Sequence, residues 1–133
     1  MSNTKATGVA YLDPEFSTCY ATEEIGYASA AQGTVTQATD KSTGVTLNKS
    51  AGRITMNAAS LAANTAVSFT LTNNTISTND AIIVNVSGGG TAAAYTTYIS
   101  SMAAGSAVVT LRNLTGGALA EAVVLNFAII HGA

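Results

Sequence analysis

Charged side chains are scarce in this chain of 133 residues, since Asp, Glu, Lys and Arg make up only 9% of it, against about 25% in ordinary soluble domains. Hydrophobic residues make up 47%, so the composition is not that of a disordered chain. Thr, Ser, Asn and Gly must therefore cover much of the surface. A weakly charged surface repels its neighbours little, which suits a protein that packs against copies of itself; a merely neutral β domain is the alternative.

The residues that usually carry catalysis or bind metal are also few. Cys19 and His131 are the only cysteine and histidine, so the chain forms no internal disulfide and cannot supply a zinc site from Cys and His. A Cys–His catalytic pair is not excluded by sequence distance, but a lone cysteine and a lone histidine are more often structural. Glu23 and Glu24 are adjacent and would point in opposite directions in an extended chain. We predict no catalytic, cofactor-binding or metal site, no small-molecule substrate, and no enzyme.

Two further absences narrow the class of partner. The net charge is -2 and the five Lys and Arg residues are scattered, so nucleic acid is not an expected partner. No run of 18 apolar residues occurs, because the best candidate is interrupted by Glu121, Asn126 and His131, and no membrane span is expected. The N-terminus has no apolar segment typical of a signal peptide, which predicts synthesis in a cytoplasm. Trp is absent, which disfavours a stand-alone carbohydrate-binding module.

The chain divides into two parts near residue 32. Residues 1–32 hold one lysine against four acids, a charge of -3, whereas 33–133 hold four bases against three acids, a charge of +1. The first part contains half of the Tyr and Phe residues with no period that would bury them on one face. We predict an irregular N-terminal arm over 1–32 whose aromatic rings anchor it on a partner or neighbour, although the arm could instead fold back on its own domain. The candidate anchors are Tyr11, Phe16, Tyr20 and Tyr27.

Residues 33–133 read as strands and turns. Apolar side chains alternate with polar ones most clearly at Val67, Phe69 and Leu71, and alternation of this kind is typical of a half-buried strand. Similar runs recur along the chain, separated by glycine-rich or asparagine-rich turns such as Gly88–Gly90 and Gly116–Gly117. About eight short strands predict an all-β antiparallel sandwich of jelly-roll-like type.

The last predicted strand is apolar on both of its faces. Val123, Leu125 and Phe127 lie on one face, and Val124, Ala128 and Ile130 lie on the other. A strand buried on both faces lies centrally or at a subunit contact. We therefore predict that Val124, Ala128 and Ile130 form an oligomer interface; coverage by the N-terminal arm is the alternative.

Several segments taken in order resemble a module of virion structural proteins from tailed bacteriophages. The segments are 33–37 (GTVTQ), 41–49 (KSTGVTLNK), 52–57 (GRITMN), 67–73 (VSFTLTN), 110–113 (TLRN) and 121–130 (EAVVLNFAII). The resemblance covers about three quarters of the chain and leaves residues 1–32 outside it. It implies a β-sandwich that assembles in symmetric groups, often trimers, on the particle surface, and it carries over no catalytic residue.

The resemblance implies a capsid decoration, or cement, protein as the first expectation. Such a protein would be made in the bacterial host cytoplasm, would reside on the capsid surface of the virion, and would bind the major capsid protein and copies of itself as a homotrimer. The sandwich would supply the contacts between copies, and the arm would bind the capsid or an adjacent copy. The second expectation is a tail-fibre or spike tip that binds a host-surface receptor, for which the chain is short.

Overall fold

The computed structural model describes residues 15–132, which form eight β-strands preceded by a single 3₁₀ turn at Ser29–Ala31. The strands are β1 (Gln32–Thr36), β2 (Val45–Thr46), β3 (Ala51–Thr55), β4 (Ala66–Thr72), β5 (Ala81–Gly88), β6 (Tyr95–Ala103), β7 (Ser106–Asn113) and β8 (Val124–Ile130). No helix within the described residues is long and apolar enough to cross a membrane. The prediction of an all-β fold of about eight strands is confirmed.

The strands form two four-stranded sheets. Sheet A has the order β1-β3-β8-β5, and sheet B has the order β2-β4-β7-β6. Most pairs are antiparallel, but each sheet begins with a parallel pair, β1 with β3 and β2 with β4. The chain changes sheet at every connection except the one between β6 and β7. The sandwich expected from the sequence is therefore present, with two parallel edge pairs that the alternation of side chains did not indicate.

The core lies between the two sheets and is built by the alternation that the sequence displays. From sheet A, Ile54, Leu125 and Ile129 point inward, and from sheet B, Leu71 and Leu111 do so; all five are almost fully buried. Every second residue of a strand points to the same face, so the residues between these positions form the outer faces of the sandwich. The last strand, β8, lies centrally in sheet A, which accounts in part for the apolar character of its outward positions.

Two tight turns depend on glycine. Gly89, just after β5, has φ of +73°, and a Cβ at this position would lie 2.1 Å from the carbonyl oxygen of Ala122. Gly105 has φ of +80° and, with Ala104, forms the two-residue turn between β6 and β7. Only glycine takes such a backbone conformation without steric cost. The turn at Gly89 belongs to the glycine run read from the sequence, whereas the turn at Gly105 carries no signal beyond a single glycine.

Candidate functional site

The outer face of sheet A carries a row of apolar side chains that crosses three strands. Ala51 of β3 and Ile83 of β5 flank Ala128 of β8 in the hydrogen-bonding register. Ile130 lies opposite Ala81 and is thus a diagonal neighbour of Ile83, within reach of a long side chain. Ile83 and Ile130 expose 56% and 58% of their surface. Two large apolar side chains are therefore presented side by side on one face.

The three residues predicted to form an oligomer interface all lie on this face. Val124 and Ala128 are partly buried within the sheet, and Ile130 is exposed. Val124 pairs with Thr55 rather than with another apolar residue. The apolar part of the face is thus concentrated at the end where β8 finishes, around Ala128 and Ile130. Sequence reasoning missed Ile83, which belongs to a different strand and meets β8 only through the register of the sheet.

A groove of about 540 Å³ opens over β1, β3 and β8. Gln32, Thr34, Ala51, Arg53 and Asn126 line it. Ala51 and the two glycines Gly33 and Gly52 also line the groove, so small residues leave a depression between the larger side chains. The guanidinium Nε of Arg53 donates a hydrogen bond of 3.3 Å to Asn126 Oδ1. The groove therefore presents one oriented, exposed cation beside amide and hydroxyl groups.

The part of the arm that the structure describes divides at Tyr27. Phe16 and Tyr20 are exposed to 65% and 89%. Tyr27 is partly buried: its hydroxyl donates to the carbonyl oxygen of Ile129, and its ring meets the His131 ring edge-on with centroids 6.5 Å apart. Tyr27 thus anchors the arm to its own sandwich, whereas Phe16 and Tyr20 project from it. Tyr11 lies outside the described residues.

Asp80, His131 and Ser50 form a hydrogen-bonded cluster at the end of the sandwich where β8 finishes. Asp80 Oδ2 lies 3.2 Å from His131 Nδ1, and His131 Nε2 lies 3.2 Å from Ser50 Oγ. The Asp80 carboxylate also accepts hydrogen bonds from the backbone N–H groups of Ser77 and Gly132, at 2.7 and 3.0 Å, and from the Ser77 hydroxyl. The bond from the Ser77 N–H, with those from Gly132, the Ser77 hydroxyl and His131, lowers the pKa of Asp80 from 3.8 to about 2.

The order of contacts in this cluster is that of a serine nucleophile, a histidine base and an orienting aspartate. Catalysis would also need a substrate cleft and donors aimed at a developing oxyanion. Ser50 does not line the groove on sheet A, and its carbonyl oxygen is occupied by the N–H of Ile129. The Asp80 carboxylate links residues that precede β5 to residues that follow β8. The cluster therefore holds the C-terminal residues against the sandwich. Sequence reasoning treated His131 as isolated because its partners are distant in sequence.

Glu121, Tyr95 and Lys41 also make their hydrogen bonds inside the fold. Glu121 accepts hydrogen bonds from the N–H and hydroxyl of Thr91 and from the hydroxyl of Tyr95, at 3.0, 2.7 and 2.8 Å, and these bonds, the Thr91 N–H first, lower its pKa. Burial, with the bond to Glu121, raises the pKa of Tyr95 to about 12. Lys41 is buried and donates to the carbonyl oxygens of Asn57 and Glu121, while burial lowers its pKa. These groups fasten loops and are not arranged as an acid–base pair.

Two of the chain's Asn-x-Ser/Thr triplets have a structural role. The side chains of Asn73 and Asn113 are fully buried, and each oxygen accepts hydrogen bonds from the threonine two residues later. Thr at that spacing therefore closes a local turn. Asn48 and Asn85, in the other two triplets, are exposed.

Residues 15–132 contain no group of three or more His, Cys, Asp or Glu side chains that could hold a metal ion. A comparison of the chain with protein-family models, with curated proteins and with solved structures finds no match. The surfaces themselves, the outer face of sheet A and the projecting arm, are therefore the features from which a function is inferred.

Proposed function

We propose that this protein is a structural component of a bacteriophage particle, a capsid decoration protein that binds the head surface and stabilises the contacts between capsomers. The proposal rests on two exposed isoleucines, Ile83 and Ile130, which are diagonal neighbours on the outer face of sheet A in an otherwise weakly charged sandwich. Exposed large apolar side chains that adjoin one another mark an interaction surface. Few charges surround them, so the approach of a second copy is opposed by little electrostatic repulsion.

The arm supplies the second element that a decoration protein needs. It leaves the sandwich at Tyr27 and presents Phe16, Tyr20 and Ile25, of which the last is 85% exposed. Aromatic and large aliphatic side chains on an extended segment bury much area at a contact. The outer face of sheet A and the arm would together supply the contacts with copies of the chain and with the major capsid protein, and these contacts would let the protein bridge neighbouring capsomers as a homotrimer.

The decisive measurement is the number of copies in purified particles. Quantitative mass spectrometry of virions, with the major capsid protein as internal reference, should give hundreds of copies per particle for a decoration protein. A few copies per particle would contradict this role and support the tail-fibre or spike tip, and absence from the particle would contradict both. Removal of residues 1–26 should abolish binding to particles that lack the protein; unchanged binding would show that the arm is not the anchor.

A further inference from the structure

We propose that the groove on the outer face of sheet A is the receptor for the arm of a second copy of this chain, which binds through residues 15–26. This inference rests on the proposed assembly role and names the contact that links one copy to the next. The occupant is a segment of the same chain, so the contact is head-to-tail, and such contacts close into rings when the rotation between copies allows it.

Within one chain, the arm is fixed at Tyr27 but does not fill the groove with residues 15–26. Tyr27 is held by Ile129, and the Gln32 side chain donates a 2.8 Å hydrogen bond to the carbonyl oxygen of Tyr27. The arm is therefore fixed where it leaves the sandwich. Beyond that point Phe16, Tyr20 and Ile25 remain 65–89% exposed, and no residue of 15–26 lines the groove of the same chain.

The second support is charge. Glu15, Glu23 and Glu24 lie in the described part of the arm and are exposed, and no lysine or arginine lies among residues 15–26. Arg53 is exposed in the groove and is oriented by Asn126. An acidic segment with interspersed Phe, Tyr and Ile side chains is complementary to a groove that is lined by Arg53 and Ala51 and that shares its face of the sheet with exposed isoleucines.

The third support is reach. Twelve residues, 15–26, span up to about 40 Å when extended. A four-stranded sheet is about 15–20 Å wide, since neighbouring strands lie about 4.8 Å apart. The arm is therefore long enough to leave its own sandwich and cross the sheet of an adjacent copy.

The position of Cys19 gives a direct test, because this only cysteine lies in the arm and is exposed. One protomer carries Cys19→Ser with Thr34→Cys, which places a thiol in the groove, and is mixed with tagged wild-type chain under mild oxidation. Disulfide-linked heterodimers should form between Cys19 of one copy and the groove thiol of the other. The matched control is Cys19→Ser with Thr72→Cys, since Thr72 is exposed on the outer face of sheet B.

The proposal is overturned if the two positions cross-link equally, or if wild-type Cys19 with Thr34→Cys in a single chain gives only internally linked monomers. Arg53→Glu in the groove protomer should lower the heterodimer yield about five-fold, the effect of losing one exposed ion pair. Glu23→Lys with Glu24→Lys in the arm protomer should restore the heterodimer yield. A yield that stays the same after both changes would exclude the charge contact. The cross-linking experiment needs only the purified chain. Its failure would therefore contradict the contact between copies without changing the result of the copy-number measurement, which tests the proposed function.

Discussion

Asn73 and Asn113 make the same contacts at opposite ends of sheet B. Each side-chain oxygen accepts from the N–H and hydroxyl of the threonine two residues later, at 3.0 and 2.8 Å from Thr75 and at 2.9 and 2.7 Å from Thr115. Asn73 follows β4 and Asn113 ends β7, and these strands are antiparallel neighbours. The two residues therefore fasten the loops at both ends of the sheet.

The amide nitrogens extend this role to other segments. Asn73 Nδ2 donates to the carbonyl oxygen of Lys49 at 2.7 Å. Asn113 Nδ2 lies within hydrogen-bonding distance of three carbonyl oxygens, those of Leu61, Ala62 and Gly117. The Asn113 amide nitrogen therefore has more acceptors than that of Asn73, so Asn113 should matter more to stability than Asn73.

We expect Asn113→Ala to lower the free energy of unfolding by about 1–3 kcal/mol, because it removes the hydrogen bonds that this fully buried amide makes with three carbonyl oxygens and with Thr115. Urea denaturation followed by circular dichroism measures this. Asn74→Ala is the control, since Asn74 is exposed and surface substitutions usually change stability by less than about 0.5 kcal/mol. Equal midpoints for Asn113→Ala and Asn74→Ala would show that the buried amide does not hold the loops.

Stability should fall as the pH is lowered from about 4 towards 2. The pKa of Asp80 is depressed to about 2 in the folded protein by the N–H of Ser77 and its other donors. A carboxyl with a depressed pKa contributes stability above its unfolded value, near 3.8, and loses that contribution as the pH falls through the folded value.

Thermal melts of wild type and Asp80→Asn across this pH range test the assignment. Asp80→Asn should lower the melting temperature at pH 7 and reduce its dependence on pH between 4 and 2. Glu23→Gln is the control, because Glu23 is an exposed carboxylate in the arm. An unchanged acid profile in Asp80→Asn would assign the acid sensitivity to other groups.

Replacement of the exposed isoleucines should weaken self-association. About half of each isoleucine remains to be buried, which contributes about 0.8–1.5 kcal/mol, and a carboxylate at the contact adds a desolvation cost, so Ile83→Asp or Ile130→Asp should raise the dissociation constant about ten-fold. Sedimentation velocity over a concentration series measures the change. Leu114→Asp is the control, because Leu114 is 48% exposed in the loop after β7. Equal weakening of self-association by all three variants would show that the interface does not lie on sheet A.

The Ser50–His131–Asp80 cluster should not hydrolyse esters. Wild type and Ser50→Ala are expected to release nitrophenol from nitrophenyl acetate at the same rate, since the hydrogen bonds of the cluster fasten the C-terminal end. A rapid burst of nitrophenol in the wild type that is absent from Ser50→Ala would show an acyl-enzyme and refute the non-enzymatic proposal.

Part of the candidate site could be read from the residues. The two apolar faces of 123–130 indicated an outward apolar surface at Val124, Ala128 and Ile130, and the structure places all three on the outer face of sheet A. The skewed aromatics of 1–32 indicated an arm, and the structure leaves Phe16 and Tyr20 exposed. Tyr27 could not be distinguished from them, because its contact with Ile129 joins residues 102 positions apart.

The sequence by itself determined the strands and the core, because alternation of side chains is a local property that assigns every second residue to one face. It also determined the low charge and the acidic arm. Only the tertiary structure decided the parallel edge pairs, the groove beside Arg53 and the Asp80–His131–Ser50 cluster. Arg53 meets Asn126 and Ser50 meets His131 across 73 and 81 residues, and such distant pairings follow from sheet order and register, which no local pattern encodes.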